Sequence, residues 1–196
     1  MKILYVCAPG DENARKTAEL IAKAMPGHDF LLPELPEFPL EIHSFLRERD
    51  TAFDPDVIVG SRLGGFYAML ICGPTKLLID PVMTPHKGPH PFLRDGDERT
   101  REELRRLHDA YFSDWKDFET TGEVWGLFGT DRSELPDALK FKREFSLVKG
   151  RFMTDGFSLA PDEEQIKSAI VPAIERVFAD EIVALSFSDM DESCFL

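Results

Sequence analysis

The sequence predicts an α/β fold: a three-layer sandwich with a mostly parallel central sheet flanked by helices. Apolar runs of strand length alternate with helical periodicity from the first residue onward, the signature of parallel strands joined by crossover helices. Runs such as Asp56-Val-Ile-Val-Gly60 and Lys76-Leu-Leu-Ile-Asp80 are far shorter than the ~20 residues of a membrane span. The length of 196 residues suits one domain, and 43% hydrophobic with 30% charged residues is the composition of a globular chain with a real core.

Lys2 to Cys7 reads as a buried first strand, and Asn13 to Met25 places Ala, Leu and Ile at helical spacing. Asp29 to Leu32 is a short second strand. The segment Leu32-Pro-Glu-Leu-Pro-Glu-Phe-Pro39 is a loop stiffened by fixed φ angles, and a helix is expected over Leu40 to Arg49. Strand three, Val57 to Gly60, runs directly into Ser61-Arg-Leu-Gly-Gly-Phe-Tyr-Ala-Met-Leu70, a turn into a helix, and strand four is Lys76 to Ile79. From Pro81 to about Gly96 the chain is rich in Pro, Gly and His without periodicity, a length of loop that is usually functional. A helix over Glu98 to Lys116 follows, then strand five, Glu123 to Phe128. Ser133 to Phe141 reads as a helix and Phe145 to Lys149 as strand six. The last helix, Asp162 to Phe178, has acidic residues in its first turn, where they suit the helix dipole. Ile182-Val-Ala-Leu185 in the tail is a candidate edge strand. The expected organisation is one domain over 1–178, with 81–118 as a candidate lid or insertion and 179–196 as an acidic C-terminal tail.

The formal charge of −13 opposes phosphate backbones and anionic lipid surfaces. Arg99, Arg101, Arg105 and Arg106 alternate with Glu98, Glu102 and Glu103 in pairs that a helix brings together, so this is a solvated, self-neutralised face. No nucleic acid and no membrane are expected as partners. The N-terminus lacks the long apolar segment of a signal peptide, and a cytoplasmic location is expected. Cys7, Cys72 and Cys194 have no metal-ligand spacing and do not suggest a disulfide framework. His86, His90, Asp95 and Asp97 in the Pro-rich loop also lack recognisable ligand spacing, so neither a metal nor a cofactor is expected. Trp115, Trp125 and the 16 phenylalanines are assigned to the core or to the lid contact.

One junction carries chemistry. Gly60-Ser61-Arg62-Leu63-Gly64 ends a strand and opens a helix, with small residues two before and two after its centre. That is the pattern of the G-x-S-x-G nucleophile elbow of α/β-hydrolases, whose strained turn leaves no room for side chains at the flanking positions. The centre is Arg62. Ser61 cannot take its place as an elbow nucleophile, because its own flanks would be the bulky Val59 and Leu63.

Around the elbow, Gly64-Gly-Phe-Tyr-Ala68 and Leu78-Ile-Asp-Pro81 resemble the YqiA-like small esterases, a branch of the α/β-hydrolase superfamily. The resemblance continues through Leu32-Pro-Glu-Leu-Pro36, Val124-Trp-Gly-Leu-Phe-Gly-Thr-Asp131 and Asp162-Glu-Glu-Gln-Ile-Lys-Ser-Ala-Ile-Val-Pro-Ala-Ile174, nearly the whole chain up to Phe178. It implies a compact α/β-hydrolase fold and hydrolysis of small carboxylic esters by a Ser, Asp, His triad in that chain order. Asp131 matches the acid position. The nucleophile position holds Arg62, and a guanidinium is not a nucleophile. The histidine position falls near Ser158, and all five histidines, His28, His43, His86, His90 and His108, precede Asp131. The family's His-Gly beside the oxyanion site is here Cys7-Ala8.

These losses predict a catalytically degenerate homologue that acts as a binding or interaction protein. The expected ligand contacts are Arg62, Leu63, Cys7, Ala8 and Ser61, with a small anionic ligand or a protein as partner. Arg62 has two readings: an anchor for that anion, or a plug paired internally with Asp131 or another acid. The alternative function is an active carboxylic-ester hydrolase with displaced catalytic groups, using Ser61, Ser158 or a loop histidine.

Overall fold

Six parallel strands form the sheet of the computed structural model, in the order β2-β1-β3-β4-β5-β6. The structure describes residues 1–87, 97–113, 122–145 and 150–180. The strands are β1 (Lys2–Val6), β2 (Asp29–Leu31), β3 (Val57–Ser61), β4 (Thr75–Ile79), β5 (Val124–Gly129) and β6 (Gly150–Asp155). The helices are α1 (Glu12–Ala24), α2 (Pro39–Phe53), α3 (Leu63–Met69), α4 (Glu98–Ser113) and α5 (Pro136–Phe145). A sixth, α6, opens at Glu163–Gln165, passes through a π-helical turn at Ile166–Ile170 and continues over 171–180. The widened turn lies directly before Pro172, whose ring would press on the Ser168 carbonyl in a regular α-turn.

Strand periodicity builds the three layers. Leu4, Val6, Ile58, Leu78 and Phe128 point into one apolar cluster with residues of α2, α3, α4 and α5. Their neighbours Ile3, Tyr5, Val57, Val59, Leu77, Trp125 and Leu127 point into a second cluster with α1 and α6. A parallel sheet needs cover on both faces, and here both sets are buried. Trp125 is fully buried, while Trp115 lies outside the described residues.

The last strand differs from the sequence expectation of Phe145 to Lys149. Phe145 ends α5, where it joins Ala138 and Phe141 on one buried face at helical spacing. The strand is Gly150–Asp155, paired with β5 from Val124↔Gly150 to Gly129↔Asp155. The helix expected at Ser133 starts instead at Pro136, after a 3₁₀ turn at Thr130–Arg132. Proline suits a first helical turn, since its missing N–H has no partner there.

Of the expected lid or insertion, α4 packs Leu104 and Leu107 into the core. Its charged face pairs with itself, Arg105 and Arg106 with Glu102 and Arg99 with Glu103. Residues 88–96 and 114–118, and the tail from 181 with its expected edge strand and Cys194, lie outside the described residues. No described helix is long and apolar enough to cross a membrane.

Candidate functional site

β1 has β2 on one side and β3 on the other, so the chain direction of winding reverses between β1 and β3. In open parallel sheets the crevice at such a point, beyond the carboxyl ends of the strands, is where ligands bind. β3 ends there in Ser61, and Arg62 forms the turn into α3 with φ 54° and ψ −121°. Such a backbone is rare for a residue with a side chain and costs ~1–3 kcal/mol, so the surroundings must enforce it. They do so through Arg62 N–H donating to the Ile79 carbonyl (2.9 Å) and the Arg62 carbonyl accepting from Gly65 (3.1 Å) and Val82 (3.0 Å). A Cβ on Gly60 would lie 2.6 Å from Ala68 Cβ, and one on Gly64 would lie 2.7 Å from Cys7 Cα. The small flanking residues therefore meet the steric demand of an elbow.

Two ion pairs stand at this end of the sheet, one part-buried and one buried. Arg62 Nη1 is 3.5 Å from Asp11 Oδ1, with side chains 22% and 1% exposed. Asp11 also caps α1, its Oδ1 accepting from Ala14 N–H at 3.0 Å. The second pair is Arg132 with Asp80, which stands at φ 43° just past β4. Arg132 Nε and Nη2 lie 2.9 and 2.8 Å from Asp80 Oδ2, Nη1 bonds Asp131 at 2.8 Å, and Nη2 donates to the Phe157 carbonyl at 2.9 Å. Gly129 N–H donates to Asp80 Oδ1 at 3.2 Å. Burial pushes the Asp80 carboxyl above its ordinary range, with the Arg132 guanidinium pulling against it.

The expected site residues separate accordingly. Ser61, Arg62 and Ser158 share one small cavity with Asp80, Phe157 and Pro161, and its volume is about 10 Å³, roughly the space of one water. Asp131 does not join them: its side chain is 73% exposed and turned to Arg132. The acid facing Arg62 is Asp11, because a 3₁₀ turn carries Asp131 outward and Arg132 inward. Ser158 is exposed and its Oγ donates to Gln165 Oε1 at 3.1 Å. Cys7, Ala8 and Leu63 are buried against the elbow. Burial pushes the Cys7 thiol up to about 11, which suits an inert core thiol. The Ser61 hydroxyl is buried and faces the buried Tyr5 phenol.

Asp11, Asp80 and Arg132 are the residues that sequence reasoning missed. Asp80 had a usable signal, standing at the carboxyl end of a buried strand; Asp11 and Arg132 are recognisable only by tertiary pairing. No histidine lines the cavity among its described residues. His43 sits on α2, and His86, in the segment after β4, lies against His108 of α4 with ring centroids 4.6 Å apart. His90 lies outside the described residues. Among the described residues no group of three or more His, Cys, Asp or Glu has metal-binding geometry. Two larger hollows of about 460 and 550 Å³ are each lined by a single helix, α6 and α2, and bring no polar groups from a second element.

Solved structures of similar fold are hydrolases. FphF, a fluorophosphonate-binding serine hydrolase of Staphylococcus aureus, matches at TM-score 0.58 and 13% identity, over 90% of this chain and 82% of its own. An esterase/lipase from an uncultured bacterium matches at TM-score 0.59 and 16% identity, over 91% and 77%. MGS-MChE2, an alpha/beta hydrolase enzyme from the metagenome of sediments of the lagoon of Mar Chica, Morocco, matches at TM-score 0.56 and 12% identity, over 97% and 92%. The chain has the α/β-hydrolase fold. No protein-family model matches the sequence, and no curated protein shows significant similarity to it.

Proposed function

We propose that this protein is a catalytically degenerate α/β-hydrolase homologue that works by binding, within the superfamily branch of the YqiA-like small esterases that its elbow segments resemble. One observation carries the reading: the strained elbow is intact but presents Arg62, held by the buried carboxylate of Asp11. A hydrolase of this type needs a hydroxyl or thiol at that point and an imidazole within hydrogen-bond reach. Here the cavity holds about 10 Å³, its hydroxyls belong to Thr17, Ser61 and Ser158, and no described histidine lines it. The loss at Arg62, at Ser158 and at Cys7-Ala8 is what an elbow retained for structure looks like.

Wild type, Arg62→Ser and Asp80→Asn are expected to hydrolyse short-chain p-nitrophenyl esters at the background rate. Restoring the serine supplies no base for it. Turnover in the wild type that falls in Asp80→Asn establishes the second reading instead, a carboxylic-ester hydrolase with displaced groups, which the hydrolase fold favours.

The binding reading favours a small carboxylate or phosphate. The Arg62 side chain is 22% exposed, and a guanidinium is the side-chain group best suited to bind an oxyanion in bidentate fashion. Inorganic phosphate is expected to raise the Tm of the wild type and to leave Arg62→Ala unshifted, because only a ligand that binds the native state stabilises it. An equal shift in both proteins moves the binding role to a protein partner.

A further inference from the structure

A second group of ionisable side chains meets where the segment after β4 runs between α4 and α5, independent of the elbow. Lys140 Nζ donates to the Met83 carbonyl at 3.0 Å and stands 2.7 Å from His108 Nε2. His108 Nδ1 lies 3.0 Å from Asp109 Oδ1. The carboxylate claims the Nδ1 proton and so leaves the Nε2 lone pair facing the amine. Carboxylate, imidazole and amine thus stand in the order that elsewhere activates a nucleophile. The Phe112 ring packs against both, 4.7 Å from the His108 ring and 4.6 Å from Lys140 Nζ, and His86 closes the other side of His108.

Burial drives the Lys140 ammonium below its ordinary range; Arg143 and Lys87 push the same way, against Glu144 and Asp137. Burial also lowers His108, with Lys140 and Lys87 adding to it and Asp109 opposing. In the deprotonated fraction of Lys140 the two amine hydrogens can go to the Met83 carbonyl and to His108 Nε2, which leaves the nitrogen lone pair available to an electrophile.

We propose that Lys140 is an acyl-acceptor site that takes an acyl group from a thioester, with His108 as its base and Asp109 as a positioning residue. Nζ attacks the thioester carbonyl carbon, the N–C bond forms and the C–S bond breaks. The proton lost by nitrogen goes to His108 Nε2 and from there to the departing thiolate. The products are an Nε-acyl amide and a free thiol, with no change of oxidation state. The amide is inert, so the site is modified once per chain and does not turn over. A thioester suits the site because its thiolate leaves readily from a tetrahedral intermediate and His108, carrying the amine's proton, can protonate it.

The test is a time course of the full chain with S-acetyl-N-acetylcysteamine near neutral pH, each lysine followed by peptide mass spectrometry. Lys140 is expected to acetylate at least about tenfold faster than the exposed Lys16 and Lys167, and to keep its rate to lower pH than they do. His108→Gln is expected to bring Lys140 down to the rate of those two lysines. Asp109→Asn, at an exposed position whose other contact is the surface pair with Arg105 at 3.2 Å, is expected to slow Lys140 and to move its pH profile. Equal rates at Lys140, Lys16 and Lys167 in the wild type overturn the proposal, as does an unchanged Lys140 rate in Asp109→Asn.

Discussion

Gly64→Ala is expected to destabilise the protein by ~3 kcal/mol or more, despite its being a glycine-to-alanine change inside a helix. Helix propensity alone predicts the opposite sign, a gain of ~1 kcal/mol. The close approach decides the outcome. The new methyl would overlap the Val6 carbonyl oxygen and lie 2.7 Å from Cys7 Cα, and both are backbone atoms of a strand or its immediate continuation. β1 is hydrogen-bonded to β2 on one side and β3 on the other, so it cannot shift without breaking the sheet. Overpacking of side chains costs ~1–3 kcal/mol, and an immovable backbone places this case at or above the top of that range. Gly156→Ala is the control: its methyl meets nothing within 4 Å, and a change within ~0.5 kcal/mol is expected. Urea midpoints at unchanged m-value measure both. A neutral Gly64→Ala would mean that the elbow is not packed on β1 as described.

The elbow was legible in the sequence because its requirements are local. Two glycines flanking a strand-to-helix turn at fixed spacing state a steric need that no distant residue supplies. Strand alternation was legible for the same reason, and β1, β3, β4 and β5 fall within a residue of their expected bounds. The sixth strand was not, because Phe145 fits an apolar strand start as well as it fits the third position of a helical stripe with Ala138 and Phe141. Which wins depends on what covers it. The site's electrostatics were still less legible. Asp131 and Arg132 are adjacent, and a sequence does not say which of two neighbours turns inward; the 3₁₀ turn sends the arginine in and leaves the aspartate in solvent. Asp11 caps α1, and its second role toward Arg62, 51 residues away, exists only in the fold.

Arg132→Met is expected to cost ~3–5 kcal/mol near neutral pH, the range for leaving one partner of a buried ion pair behind. Arg132 and Asp80 side chains are each only 10% exposed, and no solvent shell replaces what the guanidinium gives. The space cannot simply close, since the guanidinium occupies the volume that a side chain on Gly129 would need, with Cζ and Nη2 packed against it. Asp131→Asn is expected to cost under ~1 kcal/mol, because that carboxylate is 73% exposed and its pairing is screened by water. The pH dependence separates an orphaned charge from a mere cavity. Burial already holds the Asp80 carboxyl above its ordinary value of 3.8, and removing the guanidinium that opposes this raises it further. A folded-state pKa above the unfolded one means that the native state binds more protons between the two, so stability falls as pH rises through the folded pKa. The deficit of Arg132→Met is therefore largest above that pKa and shrinks toward acid, where Asp80 takes a proton and becomes a neutral donor. Urea unfolding at about pH 4 and about pH 8 reads the difference. Adding Asp80→Asn to Arg132→Met is expected to recover part of the loss at the higher pH and to abolish the pH dependence; an equal deficit at both pH values would assign the cost to lost packing rather than to the charge on Asp80.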